Sequence, residues 1–227
     1  SAKLLDEFIS LIKFPKYFQG FKISGGAIYL EPSFSDFGQA DAVVLVDNFY
    51  KKQALFIEAK VKTESKKVWS IEEEFKGFFE GIKEYNYLME KGAVHYANLF
   101  TQLYYKLRMT KALERNGLEG IKRGVNFHEC FGKEIKKIGS SKIVLKAVED
   151  LLNYLDDSFF VLLVPDTEKN MGDFFKDIKF NLGSSELVDW DTANWGYLTW
   201  EAVEKFCMRH QMTSTLKNFE FNRGQIY

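Results

Sequence analysis

Three residues of this 227-residue chain have the types and spacing for phosphate and metal chemistry: Asp41, Glu58 and Lys60. Two apolar, β-branched runs at 42–46 and 54–61 are separated by Asp47, Asn48 and two lysines, which predicts a hairpin. Side chains alternate along a strand, so Leu55, Ile57, Ala59 and Val61 form one face, and Phe56, Glu58 and Lys60 the other. With the connection centred on Phe49 and Tyr50, Asp41 falls opposite Glu58, with Cβ atoms roughly 4.5–5.5 Å apart. Two opposed carboxylates repel unless a proton or a cation sits between them. A hard divalent ion such as Mg²⁺, with oxygen ligands at roughly 2.0–2.1 Å, suits such a pair. Lys60, one side chain along on the same face, reaches the same point. On this arrangement Glu58→Gln relieves the repulsion, and the metal-free protein should be as stable as the parent or more so. The plain alternative is an edge strand whose polar face meets solvent.

The elements that must carry these residues are legible in outline. Leu4, Phe8, Leu11 and Ile12 predict a helix over 3–13. Gly20, Gly25 and Gly26 read as a turn-rich stretch before a strand at 27–30. Ser70 and Glu73 form a capping box, with Glu72 and Glu74 adding negative charge at the positive helix end. Behind it, Phe75, Phe78, Phe79, Ile82 and Tyr85 recur at helical spacing. Tyr96, Leu99, Leu103 and Leu107 predict a second helix over about 95–115. No clear pattern emerges over 119–140. A helix at about 142–156 leads to a strand at 159–164, then a strand at 195–198 and a helix at 200–210. Only Pro15, Pro32 and Pro165 interrupt the chain, with no linker or repeat, so residues 1–227 read as a single domain. The class is α/β or mixed α+β: a central mixed sheet, a hairpin bearing the acidic residues, and flanking helices.

Asp41, sixteen residues, then Glu58-Ala59-Lys60 across two adjacent strands resembles the PD-(D/E)XK nuclease superfamily, the restriction-endonuclease-like fold. Ala40 stands where that family often has Pro. The resemblance implies a Mg²⁺ (or Mn²⁺) dependent hydrolase of phosphodiester bonds, with nucleic acid, DNA in particular, as substrate. Residues matching Asp41 and Glu58 hold the metal with the backbone carbonyl of Ala59, and the residue matching Lys60 positions the water and neutralises charge. A first-helix carboxylate often joins such a site; Glu7, on the flank of the apolar stripe, is preferred to Asp6. Some branches carry a glutamine and a tyrosine on a helix beside the metal, which Gln102 and Tyr105 match. A surface glutamate and a core-edge aromatic are the ordinary alternatives for Glu7 and Tyr105. The rival reading of the whole chain is a catalytically inactive module of the same fold that binds nucleic acid or protein.

Charge is unevenly spread although the net is −1. Residues 101–146 hold 11 Lys/Arg against 4 Asp/Glu, whereas 147–204 hold 3 against 13. Lys106, Arg108, Lys111 and Arg115 on one helix are candidates for nucleic-acid contact, set against two solvated surfaces that neutralise each other. His128-Glu129-Cys130 lacks partners at zinc spacing, His95 reads as a helix opener, and Gly25-Gly26 lacks phosphate-loop spacing. Trp190, Trp195 and Trp200 sit in the acidic segment, which disfavours base stacking there. No apolar run approaches the roughly 18 residues of a membrane span. Lys3, Asp6 and Glu7 interrupt the first apolar stretch, unlike a secretory segment, and two cysteines build no disulfide framework. A cytoplasmic protein is the expectation, and a homodimer is compatible with it.

Overall fold

The β-branched runs either side of Asn48 pair as strands β2 (Ala42–Asn48) and β3 (Lys52–Ala59), joined by a tight turn in which the Asn48 N–H donates to the Lys51 carbonyl (2.9 Å). Their register runs from Asp47 opposite Lys52 to Ala42 opposite Ile57, the register predicted from the sequence. The computed structural model describes residues 2–14, 22–61, 70–83, 98–126, 135–166 and 193–226. Within them, β1 (Ile23–Leu30), β6 (Asp157–Val164) and β7 (Asn194–Thr199) complete a five-stranded sheet of order β1-β2-β3-β6-β7. The first three strands are antiparallel; β6 runs parallel to β3, and β7 parallel to β6. β3 is therefore the central strand, not an edge.

Both faces of β3 are covered, which is why its sequence is nearly continuous in apolar residues. On one face Val44, Val46, Leu55, Ile57, Phe159 and Val161 pack against α1 (Ala2–Ile9) and Ile12. Behind that layer, Phe206 and Cys207 of α5 (Trp200–Arg209) meet Phe219 of α6 (Thr213–Phe221). On the other face Val43, Leu45, Ala54, Phe56, Phe160 and Leu162 pack under α2 (Ile71–Lys83), α3 (Leu99–Arg123) and α4 (Lys142–Leu152). Phe56 stacks on Phe160 with centroids 5.7 Å apart, at the middle of this layer. The result is a mixed α/β arrangement with helices on both faces of a mixed sheet.

Several expectations are corrected here. The first helix stops at Ile9, because Lys13 leaves it to exchange two backbone hydrogen bonds with Tyr197 (2.8 and 3.0 Å). Gly25 and Gly26 are not a turn: they lie inside β1, where a Cβ on Gly26 would collide with the Leu45 carbonyl. α3 runs past 115, bending at Gly117 (φ +64°), and ends at Arg123. In the stretch without a clear sequence pattern, β4 (Val125–Asn126) and β5 (Ile135–Lys136) pair with each other. α6 has no counterpart among the elements predicted from the sequence.

Candidate active site

Asp41 stands one residue before β2, where extension of the register puts it opposite Glu58. Its carboxylate turns onto the end of β3, and Oδ2 accepts the backbone N–H of Ala59 at 2.6 Å. Glu58 shares its face with Phe56 and is only 1% exposed. Its Oε1 lies 3.3 Å from Nζ of Lys106, whose side chain is equally buried, yet among the described residues Oε1 accepts no hydrogen bond. Lys106 instead donates to the carbonyl of Gln39 (2.9 Å) in the segment leading into β2. Burial pushes the Glu58 carboxyl up to about 7; the Lys106 charge pulls it part of the way back, and the Asp41 charge adds to the rise. Burial likewise lowers Lys106, against the pull of Glu58 and Asp41.

Lys60 follows the end of β3, with its backbone held twice. Its N–H donates to the Leu163 carbonyl (2.8 Å), and its own carbonyl accepts the Trp200 indole N–H (2.8 Å). Its ammonium reaches Glu74 of α2 at 3.6 Å. Glu74, read from the sequence as one more negative charge at its own helix start, also accepts the Leu99 N–H (2.7 Å) and so caps α3. Asn98 adds the second cap, accepting the Thr101 N–H at 3.1 Å. The order Asp41, Glu58, Lys60, Glu74, Lys106 thus mixes both signs across the sheet end and two helices.

Lys106 also lines a cleft of about 500 Å³ between the short helical turn Ser35–Phe37, α3 and β5. Gln102 and Tyr105, matched only loosely from the sequence, line the same cleft. Lys136 of β5 closes its far side, with Nζ 4.4 Å over the Tyr105 ring. Gly38 makes the approach to Lys106 feasible: it adopts φ +80°, ψ −174°, and a Cβ there would stand 3.2 Å from Lys106 Nζ.

Other candidates fall elsewhere. Glu7 does not join the cluster: α1 covers the opposite face of the sheet, and Glu7 meets Nε2 of His210 at 2.9 Å. Lys106 is no surface residue, because the first four turns of α3 are buried nearly all round, from Leu99 to Leu113. That is the signal the sequence carried: a lysine inside a helix apolar on every side must be buried and paired. Arg108 and Lys111 are half-buried and Arg115 is exposed; Lys111 pairs with Glu114 at 3.0 Å. His95, His128, Glu129, Cys130 and Trp190 lie outside the described residues. Trp195 is buried on Phe160 (5.4 Å), so it offers no stacking face.

The donors present at Asp41 and Glu58 are oxygens, and the Ala59 backbone faces Asp41. Among the described residues no group of three or more His, Cys, Asp or Glu is gathered for a metal. Mg²⁺, which keeps several waters and commonly takes only one or two carboxylates, fits such a set. The buried Glu58 Oε1, which accepts no hydrogen bond among the described residues, has the Lys106 ammonium 3.3 Å away as its countercharge. No described helix is long and apolar enough to cross a membrane. Compared with protein-family models, with curated proteins and with solved structures, the chain matches none.

Proposed function

We propose that this chain is a Mg²⁺- or Mn²⁺-dependent nuclease-like domain that hydrolyses phosphodiester bonds, with DNA as substrate. The observation that carries the reading is the Asp41–Glu58 pair at the end of a central strand, one carboxylate anchored on Ala59 and the other buried. The element order supports it: a helix, three antiparallel strands, helices, then a strand parallel to the third. When bound, the metal polarises the scissile phosphate and acidifies a water. The chain's own residues do the rest. Asp41 and Glu58 are held by Ala59 and Lys106, so their oxygens are in place before substrate arrives. Lys60, with its backbone pinned to Leu163 and Trp200, offers a positive charge where negative charge develops on the phosphate.

A second reading, the catalytically inactive module, is favoured by one observation: the ammonium of Lys106 already neutralises Glu58 from 3.3 Å. Melting curves with and without millimolar Mn²⁺ separate the two. The nuclease reading expects the metal to raise the melting temperature of the parent and not of Glu58→Gln, and metal-dependent cleavage of DNA to vanish in the variant. A parent whose melting ignores the metal would overturn the catalytic reading in favour of the inactive module.

A further inference from the structure

β1 is an outer strand of the sheet, and between Ile23 and Leu30 it holds neither a charge nor a proline. Such an edge is a template for another strand unless something blunts it. The Glu31 N–H donates to the Asp41 carbonyl (3.0 Å), so by alternation Tyr29 and Ala27 also turn their backbone groups to β2. Leu30, Ile28 and Gly26 then turn theirs outward, and all three residues are exposed. A bulge between Ile23 and Gly25 shifts the count by one and turns Ile23 outward as well. Among the described residues no strand pairs with β1 on that side. Ala27 and Tyr29 join the layer under α2, α3 and α4, so Ile28 and Leu30 point to the other face, where they remain 57% and 77% exposed.

The ends of the strand carry opposite charges: Lys22 precedes it, Glu31 follows it, and both are exposed. We propose that β1 pairs antiparallel with β1 of a second copy of this chain, about a twofold axis at Ala27, joining two sheets into one. In that register Gly26 faces Ile28 of the other copy, and the missing side chain leaves room for it. With the bulge counted as one position, Ile23 faces Leu30 and Lys22 faces Glu31, at both ends of the pair. Parallel pairing would set Lys22 beside Lys22 instead, and like charges directly opposite are unfavourable. A strand of another protein would find the same backbone groups, but the match of one end to the other is a property of β1 with itself, as a twofold interface requires. Neither metal nor nucleic acid enters the association. Because Glu31 is bonded to Asp41 at this edge, the two Asp41–Glu58 pairs stand at opposite ends of the joined strands.

The test is sedimentation velocity of the full chain over a range of concentrations, together with amide hydrogen exchange. The parent is expected to dimerise, with slow exchange at the Gly26 and Ile28 amides. Ile28→Lys, at an exposed position, should be monomeric with an unchanged circular dichroism spectrum; Leu30→Lys serves if that variant fails to fold. Lys22→Glu alone and Glu31→Lys alone should each weaken the dimer roughly tenfold, because two opposite-charge pairs become like-charge pairs. The double variant restores both pairs in exchanged positions and should return to within about threefold of the parent. A parent that is monomeric at every concentration, a dimer that Ile28→Lys leaves intact, or a double variant no stronger than the single ones would overturn the proposal. A monomer with the Gly26 and Ile28 amides protected would give the edge to another segment of this chain, and a monomer with both unprotected would leave it to a partner of different sequence; either result also overturns pairing with a second copy.

Discussion

Glu58 of β3 and Lys106 of α3 meet at 3.3 Å with both side chains 1% exposed, an ion pair between the central strand and the helix that covers it. Such a pair adds little net stability, because two charges had to leave water. Glu58 also feels the Asp41 charge, which places the two acidic groups as electrostatic neighbours at the sheet end.

The first prediction concerns pH. The Glu58 carboxyl titrates near its ordinary 4.5 in the unfolded chain and near about 7 when folded. Between these values the folded state holds a proton that the unfolded state has released. Stability from this group is therefore full below about 4.5 and falls as pH rises through about 7, a loss on the order of 3 kcal/mol. Urea unfolding across pH 4.5–8 should show this slope in the parent and not in Glu58→Gln. At pH 8, where the parent's Glu58 is charged, the neutral Gln variant should be as stable as the parent or more so, by up to about 3 kcal/mol. That is the sign expected from carboxylate repulsion, with burial of Glu58 as the larger cause and the pull of Lys106 too small to undo it.

Lys60→Met should separate chemistry from stability. The ion pair with Glu74 is long, at 3.6 Å, and partly exposed, so unfolding free energy should change by only about 0–1 kcal/mol. Metal-dependent cleavage should fall by roughly 10²–10³. A variant that melts early but cleaves normally would place Lys60 among structural residues.

Arg108, Lys111 and Arg115 recur at spacings of three and four on α3, one helical face, from which Lys106 is excluded by its burial. Charge reversal at Lys111 and Arg115 should weaken DNA binding at low salt and shrink the salt slope by roughly one for each phosphate no longer neutralised. Anisotropy titrations from about 50 to 200 mM salt measure both. An unchanged slope would make the stripe an ordinary solvated face.

Gly38→Ala tests how closely the segment before β2 must approach Lys106. At φ +80°, ψ −174° the backbone is in a region essentially reserved for glycine, and a side chain there costs about 1–3 kcal/mol. The added methyl also meets Lys106 Nζ at 3.2 Å. Denaturant unfolding should show the loss, and it should exceed that of Gly77→Ala, where among the described residues a Cβ meets an amide nitrogen at 3.7 Å, ordinary van der Waals contact.

Local patterning was enough to determine the hairpin, its register and the face carrying Glu58. Strand alternation and a short turn are near-neighbour properties, and the 42–48 and 52–59 runs obey them throughout. The paired carboxylates at 41 and 58 followed from that register alone. What tertiary structure decided is which distant charges come to them. Lys106 is 48 positions from Glu58, and only the packing of α3 on β3 makes it a buried partner instead of a surface cation. Glu74 became the partner of Lys60 and the cap of α3 through the way α2 and α3 start side by side. Glu7 went to His210 because α1 packs on the other face of the sheet, a choice of side that an amphipathic helix sequence does not encode. Periodicity specifies that a stripe must be buried; which face buries it, and hence which charges meet in low dielectric, depends on the whole chain packing at once.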